Sequence, residues 1–130
     1  MAAAAAAHQD AAALTRRRGD GLRELLRASG EDRLASTVAD LTHRHMAMAG
    51  WWGSVADGRS LLMHMLRSDD ADGVRERVLD VTASTRFMVM ECELISPPWE
   101  PTHCPPSVLW LVRMRGERIA GIRLYHRVPT

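Results

Sequence analysis

The chain has 130 residues, of which 46% are hydrophobic and 25% charged, with a formal net charge of +1. That length suits one domain with a real core and is too short for two. The near-neutral balance removes any electrostatic reason to expect nucleic acid or an anionic membrane as partner.

All seventeen basic residues are arginines, a usage that speaks to a GC-rich source and not to mechanism. Two cysteines, Cys92 and Cys104, do not make a disulfide framework. The opening MAAAAAAHQDAAAL lacks a basic stretch ahead of its apolar run and carries Asp10. It reads as a helical or frayed extension of a cytoplasmic protein, not as a signal peptide or a membrane span. Residues 1–19 are taken as an Ala/Arg-rich N-terminal extension and residues 20–130 as a single domain.

In chain order, Leu14, Leu22, Leu25 and Leu26 recur at helical intervals up to the break at Ser29 and Gly30. Glu31 and Asp32 suit the start of a second helix, with Leu34, Val38 and Leu41 on one face. His43 to Met48 reads as a short strand that runs into GWWGS. Asp57 or Ser60 can cap a third helix, RSLLMHML, which stops in the polar SDDADG.

The second half changes period. VRERVLDVTAST and RFMVMECELIS alternate as strands. PPWEPTHCPP is a loop, because proline lacks the backbone donor that regular structure needs. SVLWLVRM and RIAGIRLYHRV flank the turn RGE as a hairpin. Helices followed by strands give a segregated α+β domain, with three helices on one face of an antiparallel sheet.

Alternation sorts the last two strands. Ile122, Leu124 and His126 share one face, with Arg123, Tyr125 and Arg127 on the other. For Phe87 to Leu94 the pattern leaves two choices. Phe87, Val89, Glu91 and Glu93 form one face, and Met88, Met90, Cys92 and Leu94 form a more apolar one.

Three stretches, ASGEDRLASTVADL, GSVADGRSLLMHML and RGERIAGIRLYH, resemble the SnoaL-like branch of the nuclear-transport-factor-two-like superfamily, over roughly residues 20 to 128. That superfamily also holds the ketosteroid isomerases and limonene epoxide hydrolases. The resemblance implies a cone, in which a curved antiparallel sheet wraps around three N-terminal helices and encloses an apolar pocket. It implies a small hydrophobic molecule as ligand and a homodimer through the outer sheet face. Aligned on the family, Val108, Trp110, Val112, Ile122, Leu124 and His126 point inward. The family's pocket phenylalanine falls on Phe87, which turns Phe87, Val89 and Glu91 inward and leaves the methionines as a dimer surface. His45 and Ala47 turn toward the cavity by the same alignment.

The acids of the ketosteroid isomerases have no counterpart in MAMAGWWG or at Trp110, and the epoxide hydrolases' acid falls at Leu124. What remains polar in the expected pocket is His45, Glu91, His126 and, from the loop, His103. Histidine titrates near neutrality and burial raises a glutamate, so His126 and Glu91, with His45, are the expected acid–base catalysts of a cofactor-free cyclase or isomerase. Its substrate would be polyketide-like or terpenoid-like, bound by Trp52, Phe87, Val89, His103, Val108, Trp110, Ile122 and Leu124. Trp51 and Trp52, beside glycines, suit a lid or a core plug. His43 and His45 lack a second close pair of ligands, so no metal is expected, nor any cofactor. His103 and Cys104 are adjacent in an extended loop, where side chains point apart. The competing function is a non-catalytic ligand-binding or dimerisation module of the same fold.

Overall fold

Nine elements make up the computed structural model, which describes residues 2–50, 52–100 and 107–126. Three helices, α1 (Ala2–Arg27), α2 (Glu31–Leu41) and α3 (Gly58–Asp72), accompany six strands. These are β1 (Thr42–Gly50), β2 (Gly53–Val55), β3 (Arg75–Ala83), β4 (Phe87–Ile95), β5 (Ser107–Arg115) and β6 (Arg118–His126). The strands form one curved sheet in the order β2-β1-β6-β5-β4-β3. Neighbours are antiparallel except β1 and β6, which run parallel, so the sheet is mixed. The helices cover one face, and the core lies between them and the sheet.

Local chemistry explains the boundaries. α1 and α2 are separated at Gly30, whose φ of 84° lies where only glycine rests easily. Asp57 caps α3 by accepting from the Ser60 backbone N–H at 3.2 Å. The Gly-Arg that opens α3 has two separate reasons. A β-carbon at Gly58 would lie 2.6 Å from the Met46 carbonyl oxygen. Arg59 donates to the carbonyls of Ala39 at 3.1 Å and Thr42 at 2.7 Å, setting a cation on the carbonyl end of α2. Gly116, at φ 60°, opens the β5–β6 turn. α1 runs unbroken through residues 19 and 20, and it meets the sheet as far back as Thr15, whose hydroxyl bonds the Ala83 carbonyl at 3.4 Å.

The inward faces of β5 and β6 are those expected: Val108, Trp110, Val112, Ile122 and Leu124 are buried. The facing of β4 is the reverse of that expected. Met88, Met90 and Cys92 are buried, whereas Phe87 is 48% and Val89 36% exposed, with Glu91 beside them in solvent. Pairing forces this arrangement, because Met88, Met90 and Cys92 sit opposite Val112, Trp110 and Val108, and directly opposed residues share a face. β1 is corrected in the same way. Met46 and Met48 are buried, while His45 is exposed and turned away from the core. The larger apolar side chains take the interior, and a register shift between Thr42 and Ala47 accommodates them. The outer sheet face therefore carries Phe87, Val89, Leu109, Leu111 and Tyr125, not methionines.

Candidate functional site

A cavity of about 330 Å³ lies between α3 and the inner face of the sheet. One wall is α3, through Leu62, His64, Met65, Leu66, Ser68 and Asp69. The other is the sheet end formed by Glu76 and Leu94 on one side and by Val108, Trp110, Leu124 and His126 on the other. Most of this lining is apolar because α3 and the strands present their core faces here.

Glu76 is the chemically unusual member. On β3 it follows Val74 and precedes Val78 in an inward stripe, so alternation carries a carboxyl into the interior. The Trp110 indole N–H donates to its Oε1 at 3.1 Å. Trp110 is on β5 and Glu76 on β3, so the indole must reach past β4, and it walls the cavity along the way. No described residue bonds the second carboxyl oxygen. Burial pushes the Glu76 carboxyl up to about 7; the Trp110 bond opposes this and the charge of Asp69 adds to it. Asp69 and Glu76 also line a neighbouring cavity of about 320 Å³ with Arg27, Ser29, Asp70 and Arg75, so the carboxyl stands between two recesses.

His126 closes β6 on the same inner face, directly opposite Val108. Burial lowers the proton affinity of its imidazole, so the ring is neutral near neutral pH. Its Nδ1 is buried with no hydrogen-bond partner among the described residues. β6 and β3 are three strand spacings apart, roughly 14 Å at the backbone. The imidazole and the carboxyl thus face a shared space without pairing.

Of the residues expected in a site, Val108, Trp110, Leu124 and His126 line this cavity. Ile122 is packed in the core beneath it. Trp52 is half-buried against the core edge, stacked so closely on Gly50 that a β-carbon there would lie 2.3 Å from its ring. Glu91, Phe87 and Val89 are on the outer face, and His45 is exposed beside Arg44, which donates to its Nε2 at 3.2 Å. His103, Cys104 and Trp51 lie outside the described residues. Glu76 and Asp69 were missed. The signal for Glu76 is the stripe Val74-x-Glu76-x-Val78, in which an acid interrupts an apolar face. Among the described residues no group of acids, histidines and cysteines is arranged to hold a metal, and no helix is long and apolar enough to cross a membrane.

No family model matches the chain, and no curated protein matches it by sequence. Solved structures do match. A SnoaL-like family protein from Agrobacterium tumefaciens strain C58, an unproven isomerase, superposes with a TM-score of 0.65 at 15% identity, over 84% of this chain and 96% of that one. An NTF2-like protein of unknown function from Cytophaga hutchinsonii gives 0.61 at 10% identity, over 83% and 88%. The fold is NTF2-like. A de novo designed protein with a curved β-sheet shares the NTF2-like arrangement at a TM-score of 0.61, with 14% identity over 83% of both chains. Likeness at 10–15% identity shows the fold alone, so the activity has to be argued from the cavity itself.

Proposed function

We propose that the chain is a cofactor-free proton-transfer catalyst, of the isomerase or cyclase type, acting on an apolar carbonyl compound held in the α3–sheet cavity. One observation carries this: the Glu76 carboxyl, held at one oxygen by Trp110, and the His126 imidazole line the same mostly apolar cavity. The residues differ from those expected from sequence, with Glu76 in place of Glu91 and His45.

The chemistry follows from which form each group holds. Neutral His126 removes a proton from the carbon beside the carbonyl and becomes imidazolium. Glu76, protonated, gives its proton to the carbonyl oxygen, leaving an enol and a carboxylate. Where the substrate has a carbon–carbon double bond next to that carbon, the enol is a dienol; the imidazolium then returns its proton to the far end of the dienol, the double bond moves into conjugation, and the carboxylate recovers the hydroxyl proton as the carbonyl reforms. In a cyclisation the enol carbon instead attacks a second carbonyl of the same molecule, whose π electrons move to its oxygen; the imidazolium protonates that oxygen and the carboxylate takes back the enol hydroxyl proton. Each positioned acid or base of this kind contributes about a hundredfold to ten-thousandfold in rate, and the shaped cavity adds orientation.

The test is proton exchange into a hydrophobic cyclic enone in deuterated buffer, followed by NMR. Wild type is expected to catalyse exchange at the α-carbon, and Glu76→Gln and His126→Ala each to lose at least about a hundredfold. Exchange undiminished in both variants would sink the proposal. An enone that shifts resonances of the cavity residues but exchanges no proton would leave a ligand-binding module instead.

A further inference from the structure

A second recess lies on the opposite, outer face of the sheet, independent of the cavity above. Its volume is about 270 Å³, and its lining includes Ala47, Ala49, Ser54, Gly121 and the two arginines Arg113 and Arg123. Register explains the hollow. One cross-strand row reads Phe87, Arg113, Gly121, Ala47, and the next reads Val89, Leu111, Arg123, Ala49, Ser54. Gly121 and Ala47 in the first row, and Ala49 and Ser54 in the second, therefore carry little or no side chain, while long side chains stand around them.

Arg113 is directed by this absence. A β-carbon at Gly121 would lie 3.2 Å from its Nη2 and 3.3 Å from its Nε but 3.7 Å from its Cζ, so the guanidinium turns its Nε–Nη2 edge toward the space over the glycine. Arg123 sits diagonally from Arg113 across the β5–β6 pair, with β-carbons about 7 Å apart. Neither guanidinium has a carboxylate partner among the described residues, although other arginines of the chain do. Arg115 follows on the same face of β5. A single oxyanion lying between Arg113 and Arg123 can accept from both guanidiniums. Phe87, 48% exposed, ends the first row on the far side of Arg113 and borders the recess.

We propose that this recess binds a small oxyanion carried on a flat ring, a phosphate or carboxylate gripped over Gly121 by Arg113 and Arg123 with its ring over Ala47 and Ala49. Paired guanidiniums match the planar fork of such oxyanions, the Ser54 hydroxyl supplies a further donor, and the short side chains of Ala47 and Ala49 leave room for the ring.

Amide resonances of the full chain are followed by NMR while phenyl phosphate, benzoate, inorganic phosphate or benzyl alcohol is added. Phenyl phosphate and benzoate distinguish the two oxyanions. At least one of them is expected to saturate with shifts centred on Gly121, Ala47, Ala49 and Ser54. It should bind about tenfold more tightly than inorganic phosphate, and benzyl alcohol should not bind. Arg113→Ala and Arg123→Ala should each weaken binding at least tenfold, while Arg115→Ala, outside the recess, should leave it within twofold. Equal weakening by all three variants would mean diffuse attraction to a basic surface and would overturn the proposal. So would the absence of saturation, or shifts of these amides that appear on concentrating the protein alone, which would mean a second copy covers the face.

Discussion

Replacing Glu76 by glutamine is the perturbation with the clearest physical signature, because it keeps the shape and removes the titration. The glutamine side-chain oxygen still accepts from the Trp110 indole, which donates to Oε1 at 3.1 Å in the wild type. A carboxyl that holds its proton up to about 7 instead of 4.5 is ionised in the folded state at a cost of about 3 kcal/mol, at about 1.36 kcal/mol per pH unit between the two values. Water entering the cavity trims this to about 2–3 kcal/mol. The folded protein binds the proton more tightly than the unfolded chain does. The stabilisation is therefore complete below 4.5 and is lost as pH rises through about 7. Urea unfolding of wild type and Glu76→Gln, from about pH 4 to about pH 8, should show their stability difference swinging toward the variant by about 2–3 kcal/mol. His126 titrates in the opposite sense, but in both proteins, so it cancels from the difference. A difference that stays flat across that range would refute the assignment of a buried, proton-holding carboxyl.

Three further perturbations test the surrounding structure. Trp110→Phe removes the donor that opposes the effect of burial on Glu76, so its titration midpoint, read by carbon NMR of the carboxyl, should move above about 7. Met90→Ala, at a fully buried position, should cost about 2–5 kcal/mol in denaturant unfolding. Val89→Ala, one residue away on the outer face, should cost under about 1 kcal/mol, and the reverse order would mean that β4 faces the other way. Gly58→Ala, usually stabilising in a helix, should here destabilise by roughly 2 kcal/mol or more, because the new β-carbon would meet the Met46 carbonyl at 2.6 Å, a backbone atom with little room to yield.

Most of the fold was legible because its signals are local. The break at Ser29 and Gly30, the Asp57 cap and the β5–β6 hairpin each depend on a few adjacent residues with strong backbone preferences. The inward stripe of β6 could be read because its apolar members fall on one face only. β4 could not be read so, since both of its faces carry apolar residues. A single phenylalanine aligned to a distant family then outweighed the pairing with β5, which was already oriented and sufficed to turn Met88, Met90 and Cys92 inward. Glu76 was overlooked for a related reason. In VRERVLDV it looks like one charge among several, and only the burial of Val74 and the partial burial of Val78 on either side mark its face as the inner one. The approach of Asp69 depends on how α3 is laid on the sheet, which no local pattern encodes.

In water an imidazole takes a proton in preference to a carboxylate, since their ordinary values are about 6.5 and 4.3. Such a pair in contact becomes a salt bridge and loses its use as acid and base. In this cavity the order is reversed: burial raises Glu76 to about 7 and lowers His126 below 6.5, because desolvation penalises the charged form of each. The reversal depends on separation. Had His126 stood opposite Glu76, their attraction would have favoured both charged forms and restored the ordinary order. Leu94 occupies that opposing position on β4, and Val108 faces His126 on β5, so each titratable group has an apolar cross-strand neighbour. Three strand spacings, roughly 14 Å, keep the two neutral and leave room between them for a substrate. A glutamine at position 76 would serve the Trp110 bond without the cost of ionisation, so packing alone gives no reason for a carboxyl there. A group that must give up and recover a proton near neutral pH does.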